Sequence, residues 1–199
     1  MELRNTIIYL IGIPAVGKYT TAKEIGRITG AKVVDNQLIN NPVFTVIGYH
    51  GTDAFPFSQD AWKQIGKIQR AVLNVIRDCC PPEASFVLTN VLDAKAPDDK
   101  TCFRRIERLA RSRQAEFFPV WLTCNEEVLH QRKATAERRV RLKDVDLKTI
   151  RWWVKEFEVL RVEHANGLTL DTSFSEPEQT ARRILEHVQE INRENRQGK

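Results

Sequence analysis

The sequence has no long hydrophobic run, few cysteines and no clustered histidines. The apolar run near its start, within MELRNTIIYLIGIP, is too short for the core of a signal peptide or for a membrane span. The histidines form no ligand pattern such as H-E-x-x-H. The cysteines show no C-x-x-C spacing and lie at Cys79, Cys80, Cys102 and Cys124. These absences argue against a zinc site, a disulfide framework and membrane attachment, and they predict a cytoplasmic protein with free thiols.

Length and composition are typical of one globular domain spanning residues 1–199. Hydrophobic residues make up 42% and charged residues 29% of the chain, which is enough apolar material for one buried core. The net charge is +5, and residues 130–161 hold ten Lys or Arg against five Asp or Glu, an excess equal to that of the whole chain. A basic segment of this kind can bind nucleic acid, or it can close over the phosphates of a small substrate.

Five short apolar runs predict buried strands at residues 6–11, 32–34, 84–89, 117–123 and 168–170. Helical patterns alternate with these strands, which predicts an α/β fold with three layers: a five-stranded parallel sheet and helices on both faces. Residues 35–60 are predicted to be a flap over the substrate with a short helix near Pro42. Side chains that follow the strands are expected to face one crevice at the carboxyl edge of the sheet. They are Asp35, Asn90, Asn125 and Asp171.

Helix-capping residues are recognisable at three points of the sequence. Ser58 and Asn125 are expected to cap helices that begin directly after them. Ser175 and Glu178 have the spacing of a capping box before the last helix. These residues set the expected helix starts.

The stretch GIPAVGKYT, which begins at Gly12, nearly matches the phosphate-binding pattern G-x-x-x-x-G-K-[S/T]. Gly12, Gly17 and Lys18 stand where the pattern requires them. The position of the small hydroxyl holds Tyr19, and Thr20 follows one place later. A loop of this kind wraps backbone N–H groups around phosphate oxygens at a helix N-terminus, and its lysine reaches the outer phosphates. The sequence therefore predicts nucleotide binding.

Four segments together resemble the P-loop small-molecule kinases, a group that includes shikimate kinase, gluconate kinase, chloramphenicol phosphotransferase and tunicamycin-resistance-type proteins. They are GIPAVGKYT, VVDNQLINN, HQRKATAERRVR and LTLDTSFSEPEQTARRI. The resemblance implies the P-loop NTPase fold with an Arg-rich lid at about 130–150 and an acceptor side at about 36–80. It also implies a kinase that uses ATP and Mg²⁺ to phosphorylate a hydroxyl of a small-molecule acceptor.

The resemblance further implies roles for single residues. Lys18 would neutralise phosphate charge, Asp35 would act as the base for the acceptor hydroxyl or, through water, near the metal, and an arginine of the lid, Arg138 or Arg139, would reach the transferred phosphate. The implied nucleotide contacts are Gly12, Ala15, Val16, Gly17, Lys18, Tyr19, Thr20 and Arg132. The implied acceptor pocket comprises Asp35, Asn36, Asn40 and Asn90, with Trp62 and Phe55 as possible walls.

Three departures from the kinase pattern concern the loop and the metal. Tyr19 is too long to occupy the position of the magnesium-binding hydroxyl, so we expect it to turn away from the phosphates and pack locally, with Thr20 in its usual place. Ala15 replaces a common glycine, and an alanine is tolerable there if its φ is negative. Asn90 ends the third strand where an aspartate usually holds the metal, which makes Asp35 the remaining candidate.

Two other functions remain open from the sequence. One is a nucleotide-binding regulatory module with weak ATPase activity, in which Tyr19 has removed the magnesium chemistry. The other, less favoured, is a nucleic-acid end kinase, since the basic segment lacks the interleaved aromatic residues of a single-strand groove. An oligomeric state is not indicated.

Overall fold

A computed structural model describes residues 2–49, 51, 58–133 and 135–197. Phe55 lies outside the described residues. The strands are β1 (Thr6–Ile11), β2 (Lys32–Val34), β3 (Phe86–Asn90), β4 (Glu116–Thr123) and β5 (Leu168–Asp171). The longer helices are α1 (Lys18–Thr29), α2 (Asn36–Val46), α3 (Gln59–Asp78), α4 (Pro97–Ser112), α5 (Glu126–Lys133) and α8 (Pro177–Gln197). The short ones are α6 (Ala136–Val140), a 3₁₀ turn (Leu147–Thr149) and α7 (Ile150–Lys155).

The strands form one parallel sheet in the order β2-β3-β1-β4-β5, with β1 at its centre. Alternate side chains of β1 enter two separate cores, because successive residues of a strand point to opposite faces. Ile8 and Leu10 pack with residues of α1 and α8, whereas Ile7, Tyr9 and Ile11 pack with residues of α3 and α4. The predicted three-layer α/β fold is therefore confirmed.

The segment after β2 differs from the prediction. Residues 36–46 form an 11-residue helix, α2, that begins directly after Asp35 and contains Pro42. Proline within a helix removes one backbone hydrogen bond, but Ile39 and Phe44 of this helix are buried in a third apolar cluster with Tyr49 and Ile65. Burial of this face outweighs the unfavourable composition, and it fixes Asp35 at the start of a helix.

Two of the predicted helix caps are present and the third is shifted. The Ser58 hydroxyl accepts a hydrogen bond from the Ala61 N–H, and the side-chain Oδ1 of Asn125 accepts one from the Val128 N–H. The capping box at Ser175 and Glu178 is wrong by one residue. Instead, the Gln179 side chain accepts a hydrogen bond from the Glu176 N–H at the start of α8.

Among the helices that the structure describes, none is long and apolar enough to cross a membrane.

Candidate functional site

A cavity of about 1320 Å³ lies at the carboxyl edge of the sheet. The glycine loop, Asp35 and Asn90 line it from the ends of β1, β2 and β3, and residues of the lid (130–150) close over it. Asn125 and Asp171 follow β4 and β5 but are not among its lining residues. Asn125 caps α5, and the Asp171 carboxylate accepts hydrogen bonds from Ser173. The crevice thus contains the glycine loop, Asp35 and Asn90 but not Asn125 or Asp171.

The loop between β1 and α1 has a backbone shape that requires its two pattern glycines. A Cβ atom at Gly12 would lie 2.4 Å from the backbone carbonyl oxygen of Leu122, so no side chain fits. Gly17 has a φ of 93°, in the left-handed region that favours glycine, and α1 begins directly after it. The N-terminus of a 12-residue helix therefore opens onto the cavity, where an anion is favoured.

Ala15 has a φ of 71°, so the condition under which an alanine is tolerable at this position, a negative φ, is not met. The left-handed conformation brings a Cβ atom close to the following carbonyl group, at a cost of about 1–2 kcal/mol for an L-residue. The side chain is buried in the apolar core beneath the loop. The loop keeps its shape at this position despite the unfavourable residue, and Val16, fully buried beside it, packs into the same core.

Lys18 points inward along the loop. Its Nζ donates hydrogen bonds to the carbonyl oxygens of Gly12 (2.7 Å) and Ile13 (2.9 Å). Burial, together with the nearby charges of Lys143 and Arg138, lowers the pKa of Lys18 to about 7, although Asp35 opposes the shift. A polyanion that entered the cavity would restore the charged form of this lysine.

Tyr19 packs locally, as expected from the sequence, since Lys23 Nζ of α1 lies 4.9 Å from the centre of its ring, and it also packs against the lid. Its hydroxyl accepts a hydrogen bond from Arg141 Nη1 (2.9 Å), and the Arg141 guanidinium carbon lies 3.7 Å from the centre of its ring. Lys143 Nζ lies 4.4 Å from the same centre. Thr20 lines the cavity, and its hydroxyl donates to the carbonyl oxygen of Gly17. The aromatic ring therefore supports two cations of the lid.

Asp35 is buried, and both oxygens of its carboxylate have hydrogen-bond or ion-pair partners. Its Oδ1 accepts a hydrogen bond from Thr89 (2.6 Å), and its Oδ2 lies 2.7 Å from Arg141 Nη2 and 3.4 Å from Lys143 Nζ. Burial alone would raise the pKa of Asp35, but Lys143 and the hydrogen bonds from Thr89 and Arg141 outweigh it and hold the pKa below its usual value. Asp35 is therefore a carboxylate at neutral pH.

The three predicted acceptor-pocket amides lie together beside Asp35 and line the same cavity. Asn36 Nδ2 donates to Asn90 Oδ1 (3.3 Å), and Asn40 Nδ2 donates to Asn36 Oδ1 (3.3 Å). Asn90 Nδ2 donates in turn to the Tyr9 hydroxyl (3.1 Å). Trp62 also lines the cavity. The structure thus brings these residues into one row of amides next to the acid.

The predicted arginines occupy different places. Arg132 lies next to the loop, where it donates to the hydroxyl (3.1 Å) and the carbonyl oxygen (2.8 Å) of Thr172. Arg138 lines the cavity and donates to the carbonyl oxygen of Asp144, whereas Arg139 is exposed and does not line it. Asp144 also forms a buried ion pair with Lys133 (2.7 Å). Asp144 therefore holds the lid together.

Sequence reasoning missed Arg141 and Lys143, the two cations that form ion pairs with Asp35. Arg141 and Lys143 flank Leu142, which has a φ of 52°. Leu142 packs against the third apolar cluster, which contains Ile39 and Phe44 of α2 and is called the α2 cluster below. The Gln37 side chain of α2 donates to the carbonyl oxygens of Arg141 and Leu142, and the Asn41 side chain donates to that of Arg141. The sequence signal at this point is the alternation of charged and apolar residues at 141–143. That alternation does not show which cations of the lid face the cavity.

The side chains of Tyr19, Asp35 and Asn90 do not fit a magnesium ion, which prefers unengaged oxygen ligands in octahedral geometry. Both oxygens of Asp35 are engaged, and Arg141 covers Tyr19. Asn90 Oδ1 accepts hydrogen bonds from the Val91 N–H and from Asn36. Among the described residues, no group of three or more His, Cys, Asp or Glu side chains is placed to hold a metal. The role of Asp35 near a metal stays a prediction.

No protein-family model matches the chain, and no curated protein matches it. Solved structures do. A sugar kinase from Janibacter sp. HTCC2649 has a TM-score of 0.61 at 16% identity, covering 93% of this chain and 95% of that one. A gluconokinase from Sinorhizobium meliloti 1021 has a TM-score of 0.61 at 14% identity, covering 96% and 95%.

A third structure is an APS kinase from Mycobacterium tuberculosis in complex with AMPPNP and APS. Its TM-score is 0.57 at 12% identity, and the match covers 94% of this chain and 99% of that chain. At these identities the likeness concerns the fold, and the predicted resemblance is confirmed at that level. The chain has the fold of the P-loop small-molecule kinases.

Proposed function

We propose that this protein is an ATP-dependent phosphotransferase that phosphorylates a hydroxyl group of a small molecule. The observation that carries the proposal is the shared cavity: the glycine loop with Lys18, the carboxylate of Asp35 and cations of the lid all face it. Phosphoryl transfer needs positioned positive charge and an oriented acceptor more than covalent chemistry from the protein. Lys18 and the lid supply the positive charge, and the row of amides would orient the acceptor.

In the proposed reaction the acceptor oxygen forms a bond to the γ-phosphorus, and the bond from that phosphorus to the bridging oxygen of ADP breaks. Asp35 accepts the hydroxyl proton, so the products are a phosphate ester and ADP. Lys18 and Arg138 would oppose the negative charge that spreads over the transferred group, and Arg132, beside the loop, would contact the nucleotide. The lowered pKa of Asp35 makes it a weak base, which suits a reaction with little demand for early proton removal.

The size of the cavity supports two bound molecules. Small-molecule sites usually measure about 300–1,000 Å³, and this one is larger, at about 1320 Å³. It extends from Lys18 past Asn90 to Gln69 of α3 and Arg105 of α4. The AMPPNP and APS in the APS kinase structure support the same division into nucleotide and acceptor sides. Amide groups both donate and accept hydrogen bonds, so they suit a polyhydroxylated acceptor.

The first experiment measures ATP binding by isothermal titration calorimetry. We expect the native protein to bind ATP, and Lys18→Met to lose about tenfold or more in affinity, since one charge-assisted contact is removed. Lys148→Gln, an exposed cation of the lid, is the matched control and should bind normally. No binding by the native protein at millimolar ATP, or equal binding by Lys18→Met, would contradict the proposal.

The second experiment tests catalysis. Thermal-shift screening of sugars, nucleosides and antibiotics with an ATP analogue would select acceptors, and ADP release would then be measured with each. Acceptor-dependent ADP release that is lost in Asp35→Asn supports the kinase. ATP binding with slow hydrolysis and no acceptor dependence would instead identify the regulatory module, for which the ion-paired state of Asp35 is the favouring observation.

A further inference from the structure

Two lid cations, Arg141 and Lys143, lie beside the loop position and the carboxylate that would hold the metal in a P-loop enzyme. Arg141 contacts both Tyr19, which replaces the small hydroxyl of the loop, and Asp35, the remaining carboxylate. Lys143 contacts the same two residues. The Tyr19 side chain and the Asp35 carboxylate therefore face side-chain positive charge.

The position of these cations is fixed from several sides. The Tyr19 ring supports Arg141 from the loop, and Gln37 and Asn41 bind the backbone carbonyls of the turn from α2. Leu142, between the two cations, adopts a left-handed conformation that L-residues rarely adopt, which is sustained by its packing against the α2 cluster. The backbone that carries the two cations is therefore fixed beside the cavity, and only the side-chain ends need to exchange partners when a charged ligand arrives.

The charge of the pair equals that of a magnesium ion. In phosphoryl transfer the metal bridges phosphate oxygens and neutralises their charge, without changing its oxidation state or forming a lasting bond. A guanidinium and an ammonium can do the same through hydrogen bonds to phosphate oxygens. On phosphate binding, both cations would exchange their contacts with Asp35 for contacts with the nucleotide, which would also release Asp35 toward the acceptor.

We propose that Arg141 and Lys143 supply the positive charge that a divalent cation supplies in other P-loop kinases, so that ATP binding and transfer here depend only weakly on magnesium. The inference rests on the proposed function, and it assigns Tyr19 as the positioning residue that holds Arg141 at the phosphates.

The test compares the affinity for ATP in excess EDTA with that in excess magnesium, by calorimetry on the intact protein. For the native protein we expect the two dissociation constants to agree within about threefold. The double variant Arg141→Gln/Lys143→Gln should lose about 30-fold or more in EDTA, since two charge-assisted contacts are removed, and should regain much of this affinity with magnesium. Lys148→Gln, an exposed lid cation, should behave as the native protein.

A charge-conserving variant separates the effect of charge from a folding defect. Arg141→Lys/Lys143→Arg keeps both positive charges and should lose clearly less affinity in EDTA than the Gln double variant, although it loses the guanidinium that stacks on Tyr19. Near-native thermal unfolding of both double variants would show that the cavity is intact. Tyr19→Phe, which keeps the ring but loses the hydroxyl contact to Arg141, should weaken EDTA binding by about threefold to tenfold and leave magnesium binding less affected.

The outcomes distinguish this inference from the proposed function. Absence of ATP binding under both conditions would overturn the proposed function and the inference with it. ATP binding that requires magnesium, or a Gln double variant that binds normally in EDTA, would overturn the inference and leave the kinase proposal intact. The same comparison of rates with EDTA and magnesium would then be made once an acceptor is known.

Discussion

ATP binding should take up a proton at Lys18. The pKa of this lysine is about 7 in the unliganded protein, where burial and the charges of Lys143 and Arg138 disfavour its ammonium form. A bound polyphosphate favours that form and raises the pKa again. At about pH 8 roughly 90% of the lysine is neutral before binding, so binding takes up about 0.9 proton and affinity falls nearly tenfold per pH unit. The phosphates of ATP do not compensate, because their last pKa lies near 6.

Calorimetry in two buffers with different ionisation enthalpies measures this proton directly. At about pH 8, Lys18→Met should reduce the number of protons taken up by about one. Lys148→Gln should leave the count unchanged. A native count below about 0.2 proton, or a count that Lys18→Met does not alter, would refute the reasoning about this lysine.

Three further predictions concern stability, each measured by chemical denaturation. Ala15→Gly should stabilise the protein by about 1 kcal/mol because it removes the strain of a positive φ, whereas Ala22→Gly in α1 should destabilise it; a loss at both positions would contradict this. Gly12→Ala should cost about 2–3 kcal/mol, since its Cβ atom would lie 2.4 Å from a carbonyl oxygen of β4, and a neutral effect would mean that the loop relaxes. Asp144→Asn should cost about 3 kcal/mol because it leaves Lys133 buried without its partner, and an unchanged midpoint would show that the pair is dispensable.

The sheet was predictable because its sequence signal is local. The run at residues 6–11 is almost entirely apolar, and a strand at the centre of a parallel sheet is buried on both faces, as β1 is at all six positions. Helix α2 was not predictable in its full extent. Its asparagines and Pro42 indicate a loop by composition, and the helix depends on Ile39 and Phe44 meeting Ile65 of α3. Contacts between distant segments decide such cases, and no short window of sequence contains them.

The site was predictable where a residue type is tied to a backbone shape. Gly12, Gly17 and Lys18 follow from the pattern alone, and Asp35 follows from its place at a strand end. Arg141 and Lys143 could not be separated from the other basic residues of the segment, because their direction depends on the turn at Leu142. The conformation of that turn is set by α2, which the sequence did not reveal.

The unusual residues of the site form one consistent set. The phenol of Tyr19 is too large to act as a small metal-binding hydroxyl, but its ring and oxygen can hold a guanidinium, and Arg141 lies there. Asn90 is an amide where a carboxylate is common, and it binds Asn36 and Tyr9. Asp35 is the acid that pairs with both cations, and in the proposed reaction a phosphate would replace it as their partner.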